Sequence, residues 1–276
     1  MSVINTNLAS LNAQRNLSTS SASLNTSIQR LSSGLRVNSA KDDAAGLSIA
    51  TKMDSQIRGM NQAIRNANDG ISLAQTADGG LATAIDALQR MRELAVQGGN
   101  ETISDVDRTN LGKEFIQLQT ELGRIAADTK FNGKAILGAD AGDFKIQVGA
   151  DADSETIDVT EADLATAVTG NVDAATIDLT DRDKSTAAVT AIDGALEAIN
   201  EMRADLGAVQ NRLGFAVSNL QSASENQSAA KSRIMDTDFA AETAKLTRGQ
   251  ILQQAGTAML AQANSAPNGV MALLRG

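Results

Sequence analysis

Four groupings in this sequence have residue types that could do chemistry. Asp151-Ala152-Asp153-Ser154-Glu155 clusters carboxylates as a hard cation such as calcium prefers. Glu197 and Glu201 stand one helical turn apart and imitate a general acid–base pair. Asp42 and Asp43 precede Ala44-Ala45-Gly46, and glycines recur at 34, 46, 59, 70, 79 and 80. Each grouping has a plainer reading. An EF-hand loop needs Gly at 156 and Glu at 162, where Thr156 and Ala162 stand, so the acidic run reads as a solvated turn. The two glutamates suit an exposed helix face, and Asp42-Asp43 suits the start of a helix, where carboxylates cap free N–H groups. The glycines match no phosphate-loop spacing. Four zeros close most remaining chemistry, because the 276 residues contain no His, Cys, Trp or Tyr. Ser–His and Cys–His nucleophile pairs, disulfides and the usual zinc sites are all ruled out. The sequence predicts no cofactor, no metal site and no enzyme.

The elements that would carry such groups are long helices. One Pro stands in the whole chain, where about one residue in twenty is usual. Ile4, Leu8 and Leu11, then Leu17, Leu24, Ile28, Leu31 and Leu35, make an amphipathic stripe that loosens at Ser32-Ser33-Gly34. A second helix is expected from about 44 to 97, following Ile49, Met53, Ile57, Met60, Ile64, Ala67, Ile71, Ala74, Leu81, Ile85, Leu88 and Ala95. Asp78 and Arg92 occupy its two breaks. At 1.5 Å per residue it extends on the order of 80 Å and needs partner helices. Gly98-Gly99-Asn100 ends it, and Leu111, Phe115, Leu118, Leu122 and Ile125 mark a shorter helix stopped near Phe131-Asn132-Gly133. The period then changes to two. Phe144, Ile146 and Val148, then Ile157 and Val159, predict a β-hairpin, with residues 176–180 as a candidate third strand. Helical spacing resumes from Val189 to Leu220. A last helix runs from about Asp236 through Phe239, Leu246, Leu252 and Met259 and is expected to stop at Pro267, leaving Leu273 and Leu274 in a short apolar tail. The fold class is mainly α, with long antiparallel helical rods, terminal coiled-coil helices and a small β-hairpin insert.

Charge is partitioned along the chain. The net charge is −9, yet residues 1–40 carry only Arg15, Arg30 and Arg36, and residues 243–276 only Lys245, Arg248 and Arg275. Residues 41–242 hold all 33 acids and 18 bases, a local net charge of −15. A repelling, solvated middle and nearly charge-free ends suit segments that become packed against other chains. No basic stripe or stacking aromatic points to nucleic acid, and no apolar run predicts membrane insertion. The N-terminus lacks the pattern of a Sec signal. End helices too polar to hold a globule are expected to fold only when neighbouring copies bury them. Packing between non-identical surfaces of identical copies gives an open helical polymer unless it closes a ring.

At both ends the residues resemble bacterial flagellin. Ile4-Asn5-Thr6-Asn7, residues 31–46 (Leu31-Ser32-Ser33-Gly34-Leu35-Arg36 through Gly46) and Arg65-Asn66-Ala67-Asn68-Asp69-Gly70-Ile71-Ser72 are similar to its N-terminal signature. Ser232-Arg233-Ile234-Met235-Asp236-Thr237-Asp238-Phe239 and residues 250–264 are similar to its C-terminal one. The resemblance covers roughly 1–150 and 185–276. It implies an inner core domain from 1–43 and 233–276, an outer core domain from 44–150 and 184–232, and a short variable insert at 151–183. It further implies a secreted subunit, exported through the flagellum's own type III channel, that polymerises into the extracellular filament for swimming. Subunit packing is expected at Ile4, Leu8, Leu11, Leu24, Ile28, Leu31, Leu35, Phe239, Leu246, Leu252, Met259, Leu273 and Leu274.

The partners implied are other copies of the chain, an export chaperone on the C-terminal segment, the filament cap and hook-associated proteins, and the innate Toll-like receptor of hosts. For the receptor, Gln89-Arg90-Met91-Arg92-Glu93-Leu94-Ala95-Val96-Gln97 resembles the bound segment, with Gln89, Arg90, Leu94 and Glu114 as receptor-binding residues. The same residues also read as core and solvated rod face. The alternatives are a hook–filament junction protein, which shares features of the end signatures, and a flagellin-related cell-surface binding module, against which the scarcity of sugar-stacking aromatics weighs.

Overall fold

A computed structural model describes residues 6–138, 142–150, 156–160, 162–171 and 179–275, with the side chains of 169–171 and 266–275 outside the description. The acidic run at 151–155 and most of the candidate third strand lie outside the described residues. The elements in chain order are α1 (Leu8–Ser33), α2 (Ala44–Gly98), α3 (Asp105–Asp128), β1 (Lys130–Phe131), β2 (Lys134–Ala135), β3 (Phe144–Gln147), β4 (Thr156–Val159), α4 (Leu164–Asn171), α5 (Arg182–Met235) and α6 (Phe239–Arg275).

Local chemistry sets these boundaries. The Asn7 side chain caps α1 by accepting from the Ser10 N–H, and Gly34, at φ +73°, closes it in the left-handed conformation that glycine adopts most readily. Asp43 caps α2 as its sequence position predicts, its Oδ1 accepting from the Gly46 N–H at 2.8 Å. Asp42 instead holds the preceding turn, where the Ser39 hydroxyl, its N–H and the Asn38 N–H all donate to Oδ2. Those bonds, the Ser39 hydroxyl's above all, hold the Asp42 carboxyl below its ordinary pKa. The buried Arg108 donates to the Gly98 and Asn100 carbonyls, satisfying the end of α2.

Two elements differ from expectation. Asn132-Gly133 stops α3's continuation by forming a tight hairpin between β1 and β2, both residues having positive φ (50° and 80°). Helix α6 does not stop at Pro267 but continues to Arg275. Proline removes one N–H from the ladder, while Ala263, Val270 and Leu274 keep the helical spacing across it. The predicted hairpin is present as β3–β4, antiparallel with Ile146 opposite Ile157 and Phe144 opposite Val159.

The chain forms two compact units, residues 1–55 with 226–276, and residues 56–225. In the second, one core joins α2 from Ala67 to Ala95, α3, the β3–β4 hairpin, α4 and α5 from Ala188 to Leu213. Ala77 and Met91 fill the core beside the two breaks in the α2 pattern. The breaks themselves carry ion pairs to α5, Asp78 with Arg203 at 2.6 Å and Arg92 with Asp193 at 2.7 Å. Each charge that interrupts the apolar repeat thus finds an opposite charge on the neighbouring helix, a surface pairing that adds little to stability.

Gly59 of α2 lies under the residues after β3. A Cβ there would fall 2.9 Å from Ala150 Cβ and 3.0 Å from its carbonyl oxygen, whereas one at Gly214 would meet nothing within 4 Å. Gly59→Ala is expected to cost about 1–3 kcal/mol through displaced backbone. Gly214→Ala is expected to add about 0.5–1 kcal/mol through helix propensity. Urea unfolding of the two variants checks the opposite signs.

Candidate functional site

The residues 1–55/226–276 unit is built on one antiparallel helix pair. Along α1 the buried or half-buried positions include Ser10, Ala13, Leu17, Ser20, Leu24, Ser27 and Leu31, an unbroken three-four alternation. The facing series on α6 is Glu242, Leu246, Gly249, Gly256, Leu260 and Ala263, with Gln253 at the intervening position exposed. Leu24 and Leu17 reach over Gly249 and Gly256, with Cδ1 3.1 Å from where each glycine's Cβ would stand. Small residues on one helix let the leucines of the other seat deeply without large apolar partners. Polar contacts close the ends of the seam. Asn7 donates to the Ala263 carbonyl and Ser10 to the Asn264 side chain, both at 2.7 Å. At the root, a single antiparallel bridge joins Leu35 to Asp236, and the Thr237 N–H donates to the Gly34 carbonyl.

The stripe expected on α1 is divided by this geometry. Leu24 is buried and Leu31, Leu35 and Leu246 are half-buried, whereas Leu8, Leu11, Ile28, Phe239, Leu252 and Met259 remain exposed. Leu8 is 61% and Met259 64% exposed, unusual values for large apolar side chains on a well-formed helix. Ile4 lies outside the described residues, as do the side chains of Leu273 and Leu274.

On one flank of the pair an open groove of about 530 Å³ runs between Ala9, Ala13 and Asn16 of α1 and Leu252, Ala255 and Met259 of α6. The other flank is Thr/Gln-rich, with Thr243, Thr247, Gln250, Gln254 and Thr257 exposed on α6, broken by Leu11 and Ile28 of α1. A contact that sets one flank of a copy against the other flank of its neighbour is heterologous, the kind that can repeat along a polymer. Sequence reasoning missed the groove because its floor is Ala, Asn and Gly. The signal to be found was the seven-residue recurrence of Leu17, Leu24 and Leu31 against Gly249 and Gly256.

The residues 56–225 unit holds the second candidate cluster. Gln89, Arg90 and Glu114 are exposed together. Arg90 donates to Glu114 at 3.0 and 3.1 Å and to Glu93 at 2.8 Å, and these carboxylates raise its guanidinium pKa further above its already high value. Leu94 is not at that surface: it is fully buried in the core beneath it. Glu197 and Glu201 are exposed on α5, and no group of His, Cys, Asp or Glu able to hold a metal occurs among the described residues.

Comparison with known proteins decides what this pair belongs to. Residues 4–141 match the bacterial flagellin N-terminal helical region and residues 189–274 the bacterial flagellin C-terminal helical region. A flagellin of Halalkalibacterium halodurans is 47% identical over 274 residues, 99% of this chain and 100% of that one. The chain belongs to the bacterial flagellin family. The flagellar filament 33 kDa core protein of Treponema phagedenis is similar at 42% identity over 285 residues, covering 99% of this chain and 100% of that protein. The crystal structure of Bacillus cereus flagellin, at 35% identity and a TM-score of 0.52, covers 60% of this chain and 94% of its own. As a flagellin the chain is a structural subunit of the bacterial flagellar filament, serving motility, and the junction-protein and binding-module alternatives are not favoured. No helix among the described residues is long and apolar enough to cross a membrane.

Proposed function

We propose that this flagellin joins the growing filament through its terminal helix pair, whose segments become ordered as neighbouring copies cover them. The observation that carries this reading is the set of large apolar side chains left bare on a two-helix seam of Leu, Ser and Gly. Leu252 and Met259 rim a groove that a second copy can fill with its opposite flank, a contact that repeats as an open helix when its rotation does not close a ring. The 1–43 and 233–276 segments then form the inner core domain, and 44–150 with 184–232 the outer one. Met259→Lys combined with Leu252→Lys is expected to abolish elongation of flagellar seeds while leaving the circular dichroism of the monomer unchanged. Seeds extended at the parental rate by the double variant would contradict the reading.

The finer partners follow from the family resemblance. An acid-free C-terminal segment that is apolar on one side before assembly suits an export chaperone, and passage through the type III channel brings it to the filament cap and hook-associated proteins outside the cell. We further propose that the free subunit binds the innate Toll-like receptor of hosts at Gln89, Arg90 and Glu114. Leu94 supports that surface from below, its burial giving it a packing role. Arg90→Ala is expected to weaken receptor binding by at least about tenfold, roughly 1.4 kcal/mol. Unchanged binding of that variant in a solution assay rules this part out.

A further inference from the structure

The leucine-over-glycine seam contains an ambiguity. Leu17, Leu24 and Leu31 recur every seven residues, as do Gly249 and Gly256, so sliding α6 by one heptad replaces Leu24 over Gly249 with Leu17 over Gly249, or with Leu24 over Gly256. The slip to Leu24 over Gly256 also sets Leu31 over Gly249 and keeps two such contacts, whereas the slip to Leu17 over Gly249 sets Ser10 over Gly256 and keeps one. Either shift is about 10 Å along the axis. Such a shift would separate Leu252 and Met259 from Ala9 and Ala13 and dismantle the groove. The leucine-over-glycine code alone does not exclude the first of these slips and disfavours the second by one contact.

Helices α1 and α6 contain a single carboxylate side chain between them, Glu242, and it is buried at a seam position. The Ser27 hydroxyl of α1 donates to its Oε1 at 2.7 Å, and Lys245 of α6 donates to Oε2 at 3.0 Å. Arg30 of α1 adds a favourable charge, and these groups together, the Ser27 bond foremost, hold the carboxyl below its ordinary pKa in spite of burial. A slip in one direction carries Glu242 past the end of α1 to Gly34. A slip in the other offers it Ser20 in place of Ser27, but puts the uncharged Ser23 where Arg30 stood. Ser20 Oγ is buried and without a hydrogen-bond partner in the observed register, so it is free to donate in that slip. A buried polar group at one core position is the best-attested device for fixing coiled-coil register.

We propose that Glu242 is the positioning residue that fixes the register of α6 on α1, through Ser27 and Arg30, and so decides which side chains line the assembly groove. The inference deepens the assembly reading, since the groove matters only if copies pack there, but register and assembly are read separately.

The absence of native cysteine makes disulfide trapping clean. The position for a Cβ on Gly256 lies 3.8 Å from Leu17 Cβ, within the range a disulfide spans. Full-length chains carrying Leu17→Cys with Gly256→Cys report the observed register. Leu17→Cys with Gly249→Cys, and Leu24→Cys with Gly256→Cys, report the two slips. Each is diluted into an excess of cysteine-free subunits, oxidised, and separated by sedimentation into filament and supernatant, with intramolecular cross-links read by gel mobility in both fractions.

With Glu242 present, only the 17–256 link is expected in the filament fraction. Glu242→Leu is expected to raise a slipped link at least tenfold at the expense of 17–256. Ser27→Ala, which keeps the carboxylate, is expected to favour 17–249 specifically, because Ser20 is then the hydroxyl left for it. Glu242→Gln, whose carbonyl still accepts from Ser27, retains mainly 17–256. If neither Glu242→Leu nor Ser27→Ala yields a slipped link in either fraction, the proposal is overturned and the Leu35–Asp236 bridge suffices. Entry of the variants into the pellet tests the assembly reading independently.

Discussion

Removal of residues 1–40 and 243–276 is expected to leave a soluble, largely helical monomer that neither nucleates nor extends filaments, under heating and cooling that polymerise the full chain. The cut takes all of α1 and all of α6 beyond Glu242, hence the whole terminal pair. It leaves untouched the buried cluster from Ala67 to Leu213, which unites α2, α3, the β3–β4 hairpin, α4 and α5. The retained part therefore keeps its own apolar core, and the net charge of −15 over 41–242 keeps copies apart. Either removed helix alone would be marginal in water, because its stability comes from the face it buries. Sedimentation with circular dichroism checks the result. A truncated chain that pellets as filaments would place the assembling surface elsewhere.

The second large effect is a contrast between two phenylalanines. Phe115 of α3 is completely buried in the core, whereas Phe215 of α5 is 77% exposed. Phe115→Ala is expected to cost about 3–5 kcal/mol, the lost transfer energy plus a cavity between packed helices that cannot collapse. Phe215→Ala should change monomer stability by no more than about 0.5 kcal/mol. Denaturant unfolding of the two variants checks this, and similar midpoints for both would show that α3 is not part of the core. The spacing of Leu111, Phe115, Leu118 and Leu122 already distinguishes them, since Phe215 stands out of phase with Leu213 and Val217.

That example shows where sequence and structure divide. Long helices with three-four spacing and large apolar residues are legible because burial there is set by period alone. Helix α2, expected from about 44 to 97, spans Ala44–Gly98, and the β3–β4 hairpin is legible from strict alternation. The tight β1–β2 hairpin is not, because a two-residue strand carries no period. Nor is the passage of α6 through Pro267, because one local breaker reads more strongly than the spacing that continues beyond it.

The site is less legible than the fold. Exposure of Arg90 and Glu114 together depends on two helices meeting, and the burial of Leu94 depends on what lies behind α2, neither of which a single segment encodes. The scarcity of chemically active side chains, by contrast, was fully determined by the sequence: four residue types are absent, and the acids stop at Glu242. So were the charge-free ends and the helical periods. Only tertiary structure decided that Leu17 and Leu24 seat over glycines, that Leu252 and Met259 stay bare beside them, and that the last carboxylate is buried against Ser27. Local sequence fixes a helix face to within a turn. Which face meets which, and in what register, is set by contacts some 215 residues apart in the chain.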